Sequence, residues 1–419
     1  MMSPFARRAP FTRLFGFAAL ILAASAVSFA ADGPDGPKKK QPEYPAFQKG
    51  EAAGGSLKIL QGVPVLHLKG TPEQMGTQAG TLLKEHINYL LKHYFPHFIQ
   101  PGHKPEALAI AHKLEKEIPE RYITELKACA KAAGAEYEDI LLANVSPEVF
   151  EVGGCSVIAV GKTLTEGGQV LFGRNLDWNG FGMLQNFGMV TAFEPDGQQP
   201  FVSVGYPGMV GCVTAMNDAG VCVADLVVLE PAGDDITGIP YLFLLRKLME
   251  EAKTAEDGEH IVQNVTRTVP HNIFLADRHT ARLFECEHKA LTIRKPEGDI
   301  LAATNYFGEN AKPNKQDERY CRLCASLGDK PSQVNVAGIE KALKSANLPF
   351  MNLHSVVMQP EKKVFHVAQG KVPAAACPFK EMHWEWCFGT ETKLDPAPED
   401  PPAGEGDKAA AGKAEDGKN

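Results

Sequence analysis

The chain has 419 residues, 44% of them hydrophobic, with a formal charge of −8 and a sequence pI near 5.9. That length and apolar content support a large core, as one big domain or two small ones. The acidic balance, with no dense basic cluster beyond the N-terminus, argues against nucleic acid as a partner.

Arg7, Arg8 and Arg13 precede an apolar run from Leu14 to Val27, and small residues follow at Ser28 and Ala30. This is the order of a signal peptide over 1–30; the other reading is an N-terminal membrane anchor. No later segment reaches the roughly 20 consecutive apolar residues of a spanning helix. The expected mature protein is therefore exported, periplasmic or secreted, with no membrane span once the signal is removed. Residues 31–54 are rich in Pro, Gly and Lys and read as a disordered linker. Residues 393–419 read as a disordered tail, too poor in large apolar groups to offset the entropy of ordering.

Two blocks of different style lie between these ends. In the first, Leu60 to Leu68 has the pattern of a strand. Thr71-Pro72-Glu73-Gln74 then reads as a capping box with Pro in the first turn. Apolar residues from Met75 to Tyr94 continue at helical spacing, and further helices fit Lys104 to Lys116 and Pro119 to Ala133. The second block, from about 155, begins with short apolar runs between Gly, Asp and Pro turns. These are Ser156 to Val160, Gln169 to Gly173, Gly188 to Phe193, Phe201 to Val204, Cys212 to Met216 and Val221 to Leu226. Helices are expected at Tyr241 to Lys253, Glu259 to Arg267, Gln316 to Leu327 and Gln333 to Ala346. Strands are expected at Asn272 to Asp277, Ala281 to Glu287, Gly298 to Thr304, Leu353 to Met358 and Lys363 to Ala368. Strand runs interleaved with helix pairs predict an α+β fold, with helices covering two stacked antiparallel sheets.

Nine cysteines are too few for a disulfide scaffold in a chain this long, and the odd count leaves at least one unpaired within it. Cys321 and Cys324 form a Cys-x-x-Cys pair, but on a predicted helix and with no second ligand pair at metal-like spacing, so no metal is assigned.

The chemistry concentrates where the blocks meet, at Gly153-Gly154-Cys155-Ser156. A thiol at the mouth of a strand can attack the carbonyl of the preceding residue when that residue is small, and Gly154 meets this condition. Hydrolysis of the resulting thioester frees the Cys155 α-amine, whose pKa of about 7.7–8.0 suits it as base to its own sulfur. The next two strands read as a hairpin centred on Glu166, which places Cys155 opposite Asp177, a charge partner for the freed ammonium. Arg174 falls on the other face of the same strand, so both can serve one site only through a bulge or bend near Asn175.

Gly-Cys-Ser, a strand, Gly167-Gly168 and then Gly173-Arg174-Asn175-Leu176-Asp177-Trp178 together resemble the isopenicillin N acyltransferase-like family of N-terminal-nucleophile cysteine hydrolases. Leu68-Lys69-Gly70-Thr71-Pro72 with Gly76 and Gly80 is similar to the family's propeptide opening. Similar later strands are His271 to Glu287, Ala303-Thr304-Asn305-Tyr306-Phe307 and Leu353-His354-Ser355-Val356-Val357. The resemblance implies a four-layer αββα sandwich of the N-terminal-nucleophile type. It implies a helical pro-segment over 55–154 as small subunit and a catalytic domain over 155–392 as large subunit, the two remaining associated. It also implies autocleavage between Gly154 and Cys155 and hydrolysis of linear amides through a Cys155 acyl-enzyme, with no cofactor or metal. Arg174 and Asp177 become active-site partners. Asn305 becomes an oxyanion donor, and Asn217 a second one. Trp178 and Tyr306 become pocket walls, and His354 and Ser355 take no role. The substrate is a small amide or acyl compound. Three rivals stay open: an acyltransferase with a thioester donor, a catalytically silent exported binding protein of the same fold, and a papain-like thiol protease, which lacks a recognisable histidine base.

Overall fold

The computed structural model describes residues 43–99, 101–150, 153–228, 236–308, 318–328 and 332–390. The expected signal peptide, the start of the linker and the C-terminal tail lie outside them.

The N-terminal block gives β1 (Gly50–Ala52), β2 (Gly55–Leu60) and β3 (Val63–Gly70). Six helices follow: α1 (Pro72–Leu82), α2 (Lys84–Tyr89), α3 (Lys104–Glu115), α4 (Glu120–Ala133), α5 (Tyr137–Asn144) and α6 (Ser146–Val149). The capping box at Thr71 and Gln74 forms as the sequence predicts. The helix it starts is shorter than the apolar spacing suggested: it breaks at Leu83, and a π-helical turn occupies Leu90–Tyr94. The expected linker is packed from residue 43 onward, because two aromatics in it find partners. Tyr44 sits edge-on to Phe187 and Tyr89, and Phe47 stacks on His86 at 4.2 Å between ring centroids.

The second block supplies β4 (Gly154–Val160), β5 (Leu171–Asp177), β6 (Met189–Pro195), β7 (Phe201–Gly205), β8 (Thr214–Asn217) and β9 (Cys222–Val227). Then come α7 (Tyr241–Glu251), α8 (Ala255–Gln263), β10 (His271–Ala276), β11 (Ala281–Cys286), β12 (Leu291–Arg294) and β13 (Ile300–Ala303). The last elements are α9 (Glu318–Ala325), α10 (Val336–Ala346), β14 (Asn352–Gln359), β15 (Val364–Gln369), β16 (Lys380–His383) and α11 (Trp384–Phe388).

These strands make two sheets. Ten run in the order β1-β2-β3-β6-β7-β8-β9-β10-β11-β12, and six in the order β13-β4-β5-β14-β15-β16. Three apolar clusters show how the sheets stack. One joins Met75, Leu126 and Leu248 of the helices to Leu68, Phe193 and Ile273 of the larger sheet. The second joins that sheet's other face, through Val190, Met216 and Phe274, to Val157, Phe172 and Val356 of the smaller sheet. The third joins Ile158 and Val357 to Leu323 of α9 and to Ile339 and Leu343 of α10. Three interfaces between four layers are an αββα sandwich.

The sheets are not wholly antiparallel, since β3 pairs parallel with β6, Val65 facing Val190. Nor is the N-terminal block purely helical. Its three strands continue the larger sheet, because the Gln61-Gly62 turn folds the apolar stretch back on itself, Leu60 pairing with Val63. Gly76 and Gly80, one turn apart on α1, permit a close crossing with α4. A Cβ on them would lie 2.2 Å from the Glu125 carbonyl oxygen and 2.3 Å from that of Cys129. The N-terminal block thus shares both a sheet and a helix layer with the rest of the chain.

Candidate active site

β4 and β5 form the expected hairpin one residue out of the expected register. Gly154 pairs with Asp177, Cys155 with Leu176 and Val157 with Arg174. The connection from Gly161 to Val170 is not a tight turn on Glu166. The Asp299 carbonyl accepts from the Gly161 amide at 2.7 Å, and the Val334 carbonyl accepts from Glu166 at 2.9 Å, so outside segments set its path.

Because strand side chains alternate, this register sends Cys155, Arg174 and Leu176 between the sheets, and Ser156, Asn175 and Asp177 toward α10. The Asn175 Nδ2 donates to Ser156 Oγ and to the Leu343 carbonyl, both at 2.9 Å, fixing the hairpin to that helix. β5 stays regular. The irregularity lies on its partner β14, where the pairing shifts between Asn352 and His354.

From the inter-sheet side, the Arg174 Nη2 donates to Cys155 Sγ at 3.3 Å and to the Asp225 carbonyl at 3.0 Å. Its Nη1 reaches Thr214 Oγ1, and His354 Nε2 at 2.8 Å. Burial pushes the His354 ring's pKa well below its usual value, and the Arg174 charge adds to this. The imidazole is therefore neutral and able to accept from the guanidinium. Burial raises the Cys155 thiol's pKa, while Arg174 opposes the rise.

Other elements hold the Cys155 main chain. Its amide donates to Asn305 Oδ1 at 2.7 Å, and its carbonyl accepts from Arg319 Nη1 at 3.1 Å. Arg319 Nη2 also donates to Asn305 Oδ1 at 2.6 Å, and Nη1 lies 3.6 Å from Asp177 Oδ2. Asp177 Oδ1 accepts from Asn352 Nδ2 at 2.9 Å. Burial raises the Asp177 carboxyl to about 7, against the pull of Arg319 and Asn352. Arg174 thus meets the thiol while Asp177 is linked, through Arg319 and Asn305, to the nitrogen of the same residue. Opposite faces serve one site without a bend in β5.

The thiol opens on a cavity of about 120 Å³ whose walls include Tyr94, Leu176, Trp178, Tyr206 and Met209. Trp178 is a wall as expected, its Nε1 donating to Tyr94 Oη at 2.9 Å. Tyr306 is 44% exposed and lies outside the lining.

Of the five residues proposed from sequence, Cys155, Arg174, Asp177 and Asn305 come together, and Asn217 does not. Met216 faces the inter-sheet core, so its neighbour Asn217 points into the helical layer. There its Nδ2 donates to the Met249 and Ala252 carbonyls at the end of α7. Asn305 is present in an orientation that differs from the expectation. Its Oδ1 takes the Cys155 amide, while its Nδ2 donates to the Val227 carbonyl at 2.7 Å rather than facing the thiol. Sequence reasoning missed Arg319 and gave His354 no role. Arg319 lies 164 positions from Cys155, on the helix carrying Cys321 and Cys324, and no local spacing points to it. Among the described residues no group of three His, Cys, Asp or Glu is placed to hold a metal, and no helix is long and apolar enough to cross a membrane.

The family described as acyl-coenzyme A:6-aminopenicillanic acid acyl-transferase matches residues 163–333. An uncharacterised protein of Archaeoglobus fulgidus is 26% identical over 238 residues, spanning 49% of this chain and 40% of its own. Protein dcd1A of Dictyostelium discoideum is 25% identical over 288 residues, 59% of this chain and 64% of its own. The chain thus spans about half the length of these curated relatives. Among solved structures, an N-acylethanolamine-hydrolyzing acid amidase ortholog of Caenorhabditis elegans aligns at 17% identity and TM-score 0.43, covering 49% of this chain and 93% of that one. Penicillin V acylase of Agrobacterium tumefaciens aligns at 13% and 0.42, covering 52% and 84%. The likeness carried by the Gly173 to Trp178 block is therefore borne out, and over residues 163–333 the chain matches the acyl-coenzyme A:6-aminopenicillanic acid acyl-transferase family.

Proposed function

We propose that this chain is an exported amide hydrolase or acyltransferase that activates itself by cleavage between Gly154 and Cys155. The observation that carries the reading is the double hold on Cys155. Its thiol is on Arg174 at the edge of an apolar cavity, and its amide nitrogen is on Asn305.

In the activating step Cys155 Sγ adds to the Gly154 carbonyl carbon. The peptide C–N bond breaks, and its nitrogen takes the proton the thiol gave up. Water then adds to the thioester and the C–S bond breaks, leaving Gly154 as a carboxylate and Cys155 with a free thiol and α-amine. The junction disfavours larger residues, by backbone at Gly153 and by side-chain crowding at Gly154. Gly153 has φ +128°, and a Cβ there would lie 2.9 Å from the Asp177 carbonyl oxygen; one on Gly154 would lie 2.6 Å from Leu348.

Asn305 Oδ1, which accepts from the amide, is in place to accept from the amine that replaces it. In the uncut chain burial keeps the thiol protonated. Afterwards the amine takes the thiol proton and the thiolate adds to a substrate amide carbonyl; the substrate C–N bond then breaks as its nitrogen takes that proton from the α-ammonium and leaves as an amine. The acyl group then passes from Cys155 to water, or to an amine where water is excluded. Oxyanion donation by Asn305 requires its Nδ2 to leave the Val227 carbonyl, a rearrangement assigned to the cut state.

Intact mass and N-terminal sequencing test this reading. The purified protein is expected as two co-purifying chains, the larger beginning Cys-Ser-Val-Ile, and Cys155→Ala as one uncut and inactive chain. An uncut chain that hydrolyses amides would overturn the α-amine mechanism. Partition of a thioester donor between water and added amines separates hydrolase from transferase.

A further inference from the structure

The cavity beside Cys155 is mostly apolar, with a few uncharged polar side chains such as Asn144 and Ser146. Among the described residues Asp225 is the only charged one in its wall. On β9 it lies opposite Ile273 of β10, and its Oδ1 lies 2.6 Å from His271 Nδ1. The ring is itself stacked on Tyr241 at 3.7 Å between centroids, which fixes the carboxylate's direction. Oδ2 has no donor among the described residues, and the side chain keeps 8% of its exposure at the cavity. The nearby guanidinium does not reach Oδ2, since Arg174 bonds to the Asp225 main-chain carbonyl and not to its carboxylate. Asp225 is also close enough to Cys155 to act on the thiol's charge. A cation or hydrogen-bond donor supplied from the cavity gives this oxygen a partner of its own.

We infer that Asp225 is a specificity residue that receives an ammonium group carried by the acyl portion of the substrate. The inference rests on the amidase reading of the same site and names its substrate class: amides of short, amino-bearing acids. The acyl portion is the part joined to Cys155 through both halves of the reaction, so it is the part for which room beside the sulfur is needed. A cavity of about 150 Å³ holds a benzene ring, so 120 Å³ suits an acyl chain of about five or six heavy atoms. A chain of that length spans from the thioester carbonyl to a terminal nitrogen.

Two anilides of equal size test it, 4-aminobutanoyl p-nitroanilide and pentanoyl p-nitroanilide, which differ by an ammonium in place of a methyl group. With the processed wild type, kcat/KM is expected to favour the ammonium probe by at least about tenfold, the size of one charge-assisted hydrogen bond. In Asp225→Asn that ratio is expected to fall to about one. A wild-type preference for the pentanoyl probe, or an unchanged ratio in Asp225→Asn, overturns the inference.

A binding arm keeps it separate from the amidase reading. Uncut Cys155→Ala protein is titrated with n-butylammonium and with 1-butanol, and binding is read by calorimetry. Tighter binding of the ammonium, lost in Cys155→Ala/Asp225→Asn, upholds Asp225 even if neither anilide is cleaved, in which case the amidase reading alone fails. Equal binding of the two ligands overturns the role of Asp225 whatever the anilides do. That second outcome is read on the Cys155→Ala protein alone, so misfolding of an Asp225 variant does not shelter the inference.

Discussion

Arg174 and Arg246 are both withdrawn from water, at 0% and 1% exposure, and their surroundings are opposite in kind. Arg246, on α7, has Glu125 Oε2 at 2.7 Å and Glu250 Oε1 at 2.9 Å, the Val210 carbonyl at 2.7 Å, and the rings of Tyr122 and Phe193 each 4.8 Å away. Arg174 makes no ion pair among the described residues. Its acceptors are a hydroxyl, a neutral imidazole, a carbonyl and the Cys155 sulfur, and its Nε has no partner among them. A buried cation is costly unless paired and fully hydrogen-bonded. Arg246 meets that condition within the fold. Arg174 has carboxylates in its surroundings but none in contact, and meets it only when negative charge comes within hydrogen-bond reach, as on a thiolate or a carbonyl oxygen under attack. One arginine serves stability and the other is held in readiness for chemistry.

The largest expected effect breaks the paired arginine. Arg246→Ala leaves Glu125 and Glu250 buried without their cation and is expected to cost about 3–5 kcal/mol of stability. Glu125 lies before the proposed cut and Arg246 after it, so the clamp joins the two chains of the processed protein. Urea unfolding is expected to show the loss, and size-exclusion chromatography the two chains coming apart. A variant as stable as wild type, with its chains still joined, would mean that the clamp holds nothing together.

Arg174→Ala is expected to act on rate instead. Losing one donor aimed at developing charge costs about 10²- to 10³-fold in kcat. Stability should change far less than in Arg246→Ala, because no carboxylate is stranded and the buried guanidinium's own cost disappears. Steady-state kinetics and urea midpoints on both variants test the contrast. If Arg174→Ala unfolds as readily as Arg246→Ala with kcat intact, the distinction between the two arginines fails.

The Arg174 half of this contrast was largely open to sequence reading. Gly153 to Ser156, and Arg174 and Asp177 at the end of the next strand, mark the site because each is local: a small-residue junction, a strand and a polar strand end. The stacked sheets follow from apolar runs broken by turns. Arg319, His354 and Asp225 stayed hidden because they reach the site from α9, β14 and β9, which only tertiary packing brings to β4. The one-residue error in register has the same origin, since the loop after β4 is set by contacts from Asp299 and Val334 rather than by its own turn residues. Asn217 was misplaced because Asn-Asp-Ala-Gly is equally good turn chemistry, and a strand's parity depends on where the strand begins. The clamp was missed for a further reason: Glu125, Arg246 and Glu250 look like ordinary charges on amphipathic helices until those helices are packed together.

The smallest expected effect extends the comparison from cations to carboxyls. Burial raises both Asp177 and Glu148 to about 7, and each keeps an oxygen without a hydrogen-bond partner among the described residues. Glu148 Oε1 accepts from the Tyr241 amide at 2.5 Å. Unfolded carboxyls titrate at about 3.9–4.3. Each of these two therefore holds its proton more tightly in the folded state, and its stabilising contribution is complete below about pH 4. That contribution is lost as pH rises through about 7. His354 runs the other way: its lowered folded pKa favours the fold above its unfolded value of about 6.5, and the contribution is lost as pH falls. Because His354 is common to every variant, subtraction removes it. In a Cys155→Ala background, which keeps the chain uncut, Asp177→Asn and Glu148→Gln preserve size and the accepting oxygen while removing the titration. Urea midpoints at pH 4.5 and 7.5 are expected to differ less in either variant than in the parent, with a gain at the higher pH. A parent and variants that respond to pH alike would mean that both carboxyls ionise in the folded chain as they do in water, and that Arg319 alone suffices to hold Asp177 charged beside Cys155.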